Sequence, residues 1–208
     1  MRVVLRTIGE VSVTLGAILL LFCVYLLWGT GSYTARQQQV LQRILSEEPP
    51  VEVAGKPRAG LGLGNALALL RIPRLGGDYR YALVEGVGFE ELRRGPGHYP
   101  GTAMPGEIGN FVLSGHRTTY SAPFNRIDEL VRGDEIIVET RRRTYTYEVD
   151  RVVVVDPADL GVVAPVPGLP GRDPSTAVIT LITCHPEYSA AQRLIVFGRL
   201  VRGEERQA

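Results

Sequence analysis

Cys184, His116 and Arg193 are the residues of this chain whose types suit nucleophilic chemistry. The only other cysteine, Cys23, lies in an apolar N-terminal stretch, so Cys184 has no disulfide partner in the region that follows that stretch. Only the thiolate form of a cysteine is a competent nucleophile, and it forms when a histidine or a cation lies nearby. A lone thiol with such neighbours predicts covalent catalysis through sulfur.

These three residues stand at the ends of strand-like segments. Cys184 follows the apolar run 177–183, Arg193 opens the last run, 193–201, and His116 follows another apolar run. If the two later runs pair as antiparallel neighbours, Cys184 and Arg193 meet at the same edge of the sheet. An arginine at that edge can donate hydrogen bonds to a developing oxyanion and can favour the thiolate.

Each residue also has a plainer interpretation. Cysteine is among the most buried residue types, so Cys184 alone could be structural; His116 could cap a turn, and Arg193 could form a surface ion pair. His185 competes with His116 as the base because it is adjacent to the thiol. Since consecutive strand residues point to opposite faces, we expect His185 to point away from the sulfur. His98, in a loop rich in proline and glycine, is expected to be a structural or a surface residue.

The composition argues against several kinds of partner. The net charge of +1 does not favour nucleic acid, because phosphate-binding surfaces carry a marked basic excess. The three histidines lack the short spacing typical of metal sites, so no metal is predicted. Neither Glu107 nor Asp128 has a spacing that would make it a third member behind His116.

The N-terminal stretch predicts a transmembrane helix over residues 11–29. No residue from Val11 to Trp28 is charged, and this length is close to the ~17–25 residues that cross a bilayer. Arg2 and Arg6 precede the run, which predicts an N-terminus in the cytoplasm and a single pass through the cytoplasmic membrane. The alternative is a cleaved signal peptide, although no clean small-x-small site ends the run.

The rest of the chain predicts one extracellular domain. Residues 1–10 form the cytoplasmic N-terminus, and residues 30–65 combine a juxtamembrane helix with a linker. The linker, 49–64, is rich in proline and glycine, and we expect it to hold the domain at a distance from the bilayer. Residues 66–202 form the domain, and 203–208 are a tail.

The pattern within the domain predicts an all-β barrel or sandwich, because short strand-like runs alternate evenly with turn residues. The predicted helices are few and short. The strand-like runs are 66–72, 79–85, 109–114, 135–140, 144–155, 177–183 and 193–201, and the helical segments are 35–48, 89–94 and 123–131.

Several motifs are similar to those of sortases, the cysteine transpeptidases of Gram-positive cell surfaces. The segment Thr180-Leu181-Ile182-Thr183-Cys184 matches the Thr-Leu-x-Thr-Cys signature of that family, and the chain order of histidine, cysteine and arginine matches as well. The chain most resembles class E, in which His-Pro follows the cysteine and Arg-Thr-Thr-Tyr follows the histidine. The other matching segments are Ile72-Pro73, 95–102, Pro105-Gly106 and Ser114-Gly115-His116-Arg117.

The resemblance implies an eight-stranded β-barrel and a role for each site residue. Cys184 would attack the Thr–Gly bond of a C-terminal sorting signal and form a thioacyl enzyme. His116 would protonate the leaving amine and deprotonate the incoming one, while Arg193 would hold the oxyanion and the sorting peptide. Thr183 and Tyr120 are predicted to bind the substrate.

The same resemblance implies the partners. These are secreted proteins that carry a Leu-Ala-x-Thr-Gly or Leu-Pro-x-Thr-Gly signal, and a cell-wall precursor that supplies the amine; the cycle needs no cofactor. Two alternatives stay open. The first is a thiol hydrolase that uses the same residues, and the second is a non-catalytic anchored β-domain that binds wall components.

Overall fold

The computed structural model describes residues 2–25, 29–47 and 66–206. Two helices precede the domain: α1, Arg2–Val24, and α2, Thr30–Glu47. A third helix, α3, spans Phe89–Leu92, and single 3₁₀ turns span Pro73–Leu75, Ile127–Glu129 and Leu160–Val163. The strands are β1 Ala66–Arg71, β2 Arg80–Glu85, β3 Gly97–His98, β4 Gly109–Ser114, β5 Glu135–Glu139, β6 Arg143–Val155, β7 Ala177–His185 and β8 Gln192–Glu205.

The eight strands close into a barrel in the order β1-β2-β3-β4-β7-β8-β6-β5, which confirms the predicted fold. The pairs β2–β3 and β4–β7 are parallel, and the other six are antiparallel. Alternate side chains of the strands fill the interior, as expected for a sheet with one buried face. Its largest fully buried side chains include Tyr147, Phe111, Leu70, Leu83, Leu113, Ile136, Ile179 and Leu181.

Helix α1 is long and apolar enough to cross a membrane, judged by length and composition. It begins at Arg2, well before the predicted start of the span at residue 11. The charged first turns remain helical, and Arg6 and Glu10 pair at 2.8 Å with the i, i+4 spacing that stabilises a helix. The helix ends at Val24, and Trp28, near the predicted end of the span, lies outside the described residues.

The seven predicted strand runs are all present, with ends shifted by a few residues. The longest shift is in β8, which pairs with β6 as far as Glu205 and so continues beyond 201. Segment 123–131, predicted as a helix, forms only the 3₁₀ turn Ile127–Glu129.

Strand β3 was missed because two residues show no alternation. Its His98 is buried: Nδ1 lies 2.7 Å from Oε2 of Glu85, and Nε2 lies 2.9 Å from the hydroxyl of Thr102. This histidine has a structural role, as expected.

Helix α2 lies against the barrel. Its Leu41 is 1% exposed and packs with Ala82 and Val84 of β2. Helix α2, which precedes linker 49–64, is thus docked on the domain, and the predicted spacing of the domain from the bilayer by this linker stays a prediction. The linker itself lies outside the described residues.

Candidate active site

Cys184 and Arg193 are cross-strand partners in the antiparallel pair β7–β8, so the pairing assumed from the sequence is observed. Cys184 is half-buried near the end of β7. Nη1 of Arg193 donates to the carbonyl oxygens of Ala190 and Gln192, both at 3.0 Å. Within the described part of the chain, Nε and Nη2 of Arg193 make no hydrogen bond, which leaves them as donors for a ligand.

The parallel pair β4–β7 brings His116 to the same rim. Ser114 pairs with Ile182, and the next backbone amide, that of Gly115, donates to the carbonyl of Ile182 at 3.1 Å. His116 stands two residues beyond Ser114, and Cys184 stands two residues beyond Ile182. Because parallel neighbours advance in the same direction, these two residues leave the barrel at the same edge.

The backbone around His116 is held by the core. A Cβ on Gly115 would lie 2.7 Å from Cδ2 of the buried Phe124, so only glycine allows this close approach. The amide of Phe124 donates to the carbonyl of His116 at 3.0 Å. Thr183 is 2% exposed, and its hydroxyl donates to the carbonyl of Gly115 at 2.8 Å. Thr183 thus ties the end of β7 to the segment that carries His116, and its predicted contact with a substrate stays a prediction.

The His116 ring is half-buried and lies against Tyr120, with ring centroids 5.0 Å apart. Burial lowers the pKa of His116 below its ordinary value, because a charged imidazolium loses hydration there. Its Nε2 is buried and has no hydrogen-bond partner among the described residues. A resting His116 near neutral pH is therefore an uncharged imidazole with an unused ring nitrogen, as suits a group that exchanges protons.

We expect His116 to titrate below its ordinary pKa of 6.5. The measurement is an NMR titration of the imidazole in the Cys184→Ala variant, which removes any coupling to the thiol. The unfolded chain binds a proton at His116 near pH 6.5 and the folded chain only at lower pH, so this residue lowers stability as pH falls through that interval. A midpoint at or above 6.5 would contradict the burial argument.

Arg117 is a site residue that sequence reasoning missed. It is 5% exposed, and Nη2 pairs with Oδ2 of Asp128 at 3.0 Å. Nη1 donates to the carbonyl of Cys184 at 3.2 Å and to Nδ1 of His185 at 3.0 Å. The only signal in the sequence was its place next to His116 in the Ser-Gly-His-Arg motif. Arg117 thus ties the segment after His116 to the end of β7.

The contact with Arg117 also defines the state of His185. A guanidinium only donates hydrogen bonds, so Nδ1 of His185 must accept and the ring proton must be on Nε2. This nitrogen of His185 is therefore already occupied by a hydrogen bond. His185 is therefore poorly suited to act as the base, despite its place next to Cys184.

Comparison with known proteins decides the family. A family model described as a sortase domain matches residues 70–201, more than half of the chain. The chain belongs to the sortase family. Sortase SrtE1 of Streptomyces coelicolor is 38% identical to this sortase over 210 residues. The alignment covers 97% of this chain and 58% of the relative, so this sortase spans less than two thirds of the relative's length.

Solved structures agree with class E. Sortase E from Streptomyces avermitilis is 36% identical, with a TM-score of 0.62 over 68% of this chain and 91% of that one. Sortase E1 from Streptomyces coelicolor, with a tripeptide in the active site, is 38% identical, with a TM-score of 0.63 over 71% of this chain and 94% of that one. These likenesses confirm the resemblance to class E that the sequence motifs indicated.

Proposed function

We propose that this sortase is a membrane-anchored cysteine transpeptidase that joins secreted proteins to a cell-wall amine. It cleaves a Leu-Ala-x-Thr-Gly or Leu-Pro-x-Thr-Gly signal between threonine and glycine. The observation that carries this proposal is the convergence at one rim of the barrel. There Cys184 has His116 at the end of its parallel neighbour and Arg193 opposite it on its antiparallel neighbour.

The proposed reaction begins at the Cys184 sulfur. Neutral His116 takes the thiol proton as the sulfur attacks the threonine carbonyl, and a Sγ–C bond forms. Arg193 donates to the oxyanion of the tetrahedral intermediate, where a positive charge has its largest effect. His116 then gives its proton to the departing glycine amine and the C–N bond breaks. In the second half, His116 removes a proton from the incoming amine as that amine displaces the thiolate.

Two further observations support the proposal. The active site of the Streptomyces coelicolor relative holds a tripeptide, which is the kind of ligand that a sorting signal presents. Helix α1 has the length and composition of one membrane span. Arg2 and Arg6 at its start favour an N-terminus in the cytoplasm, with the barrel outside.

The test of this function is a joining assay. Fluorescent peptides that contain Leu-Ala-x-Thr-Gly or Leu-Pro-x-Thr-Gly are incubated with the full chain and either triglycine or hydroxylamine. We expect a joined product and, in mass spectra, an acyl adduct on Cys184. Release of free acid alone, whatever amine is added, would assign a thiol hydrolase. No adduct and no cleavage would leave a non-catalytic β-domain.

Arg193→Ala is expected to lower kcat/KM for joining about 10²–10³-fold, the usual effect of removing an oxyanion donor. Arg199→Ala is the matched control, because Arg199 lies on the same strand opposite Val178, at the far end of β7 from Cys184. This control is expected to stay within about twofold of the unchanged chain, since its exposed ion pair contributes little. Equal losses in the two variants would remove Arg193 from the mechanism.

A further inference from the structure

A turn in an unusual conformation follows His116. Tyr120, Ser121 and Ala122 have φ angles of 53°, 61° and 42°. These angles lie in the left-handed region, which residues other than glycine rarely adopt. Such backbone conformations are energetically unfavourable for residues with a side chain, so the turn persists only if its surroundings hold it. The contacts that hold it are therefore informative about the site, because Tyr120 packs on the His116 ring.

The first turn of α2 supplies two of these contacts. The amide of Tyr120 donates to the hydroxyl of Thr30 at 3.4 Å, and the hydroxyl of Ser121 donates to the carbonyl of Gly31 at 3.0 Å. The barrel supplies a third, since the hydroxyl of Tyr81 donates to the carbonyl of Ser121 at 3.1 Å. The membrane-proximal end of α2 thus lies directly on the turn.

A cluster of aromatic rings around Arg93 forms a second connection between α2 and the ring of His116. Cζ of Arg93 lies 4.8 Å from the ring centroid of Tyr33 in α2, 5.4 Å from that of Phe89 and 5.8 Å from that of Tyr120. Tyr120 in turn lies 5.0 Å from the ring of His116. The guanidinium contributes a cation–π contact to each ring. A displacement of α2 would therefore change the position of the His116 ring, both through this aromatic cluster and through the turn 120–122.

Gln38 fixes α2 in place by completing the barrel. Within β2, only the last two residues, Val84 and Glu85, pair with β3, so the backbone groups of Ala82 on that edge need another partner. The side-chain amide of Gln38 satisfies both backbone groups of Ala82. Its Oε1 accepts from the Ala82 amide at 2.7 Å, and its Nε2 donates to the Ala82 carbonyl at 3.0 Å. Nε2 also donates to the carbonyl of Arg94 at 2.8 Å.

We propose that α2 is a positioning element of the active site, in which Gln38 seats the helix and Thr30 holds the turn that presses Tyr120 onto His116. The proposal rests on the proposed function, because its catalytic effect is read through His116. Release of α2 from the barrel would leave Cys184 on its strand and free the histidine ring. The folded catalytic unit would accordingly begin at Thr30 and not at residue 66.

The test compares variants of the full chain in detergent micelles. Thr30→Val removes the hydroxyl with little change in shape, and Thr30→Ser restores it. Gln38→Leu removes the edge contact, and Gln39→Leu makes the same change at an exposed residue of the same helix. The readouts are hydrogen exchange in residues 117–122, the chemical shifts of the His116 ring, and kcat separately from KM.

For Thr30→Val and Gln38→Leu we expect exchange in residues 117–122 to rise at least about tenfold. We expect kcat to fall about 10- to 100-fold, as for a displaced catalytic group, while KM changes less than about threefold. Thr30→Ser and Gln39→Leu should match the unchanged chain. Thr30→Val removes the hydroxyl that accepts from the Tyr120 amide and keeps the shape of the side chain, so it provides the test if Gln38→Leu fails to fold.

Several results would overturn the proposal. Unchanged exchange in Thr30→Val shows that α2 does not hold the turn, and raised exchange with unchanged kcat shows that the turn does not position His116. If the unchanged chain joins no peptide, the proposed function fails instead. Exchange and the His116 chemical shifts then still decide whether α2 and the ring are coupled.

Discussion

Cys184→Ala is expected to abolish peptide joining, with a loss of at least about 10⁴-fold, because the proposed acyl intermediate forms on its sulfur. The barrel should remain folded, since Cys184 is only half-buried and an alanine fits in its place. The measurements are the joining assay, the mass of the acyl adduct and the Tm of the variant.

Cys23→Ala is the matched control, because it removes the other cysteine of the chain, which lies in α1. This variant should join peptides at the unchanged rate and still acquire the adduct on Cys184. Cleavage of a Leu-x-x-Thr-Gly peptide that persists in Cys184→Ala would refute the proposed nucleophile.

His116→Ala should lower kcat about 10²–10⁴-fold, the range for removal of a general acid–base group, whereas His185→Ala should cost less than about tenfold. The reason is geometric. His116 has an unused, buried Nε2, whereas Nδ1 of His185 accepts from Arg117. The measurement is kcat and KM for joining in the two variants, each with its Tm.

The two histidine variants control each other, because each removes one imidazole from the rim of the barrel that carries Cys184. His185→Ala leaves the hydrogen bond from Arg117 to the Cys184 carbonyl in place, so the end of β7 should stay ordered. A larger loss in His185→Ala than in His116→Ala would mean that the base has been misassigned.

The strands were predictable because each long run alternates or is continuously apolar between turn residues. Strand β7 is the clearest case, and the antiparallel pairing with β8 that the sequence analysis assumed is observed. Strand β3 could not be found from Gly97 and His98, because a two-residue strand carries no periodicity. It exists only because its neighbours β2 and β4 offer it an edge.

The site was predictable where strand ends carry chemistry, and less so where contacts join distant parts of the chain. Cys184 and Arg193 meet through a local hairpin. The burial of Thr183 agrees with its alternation with Cys184, which places the two side chains on opposite faces of the strand. Gln38 and Ala82 are far apart in sequence, and a glutamine on a polar helix gives no sign that it will complete a sheet edge.

The docking of α2 limits where this sortase can work. Tyr25 and Thr30 are five positions apart, so the chain between them reaches at most about 18 Å when fully extended. Thr30 touches the turn after His116. If α1 lies in the bilayer as proposed, this short connection keeps the thiol of Cys184 close to the membrane surface. A substrate protein whose sorting signal is held far from the membrane by a long rigid spacer would therefore not be joined, even if all five residues of the signal match.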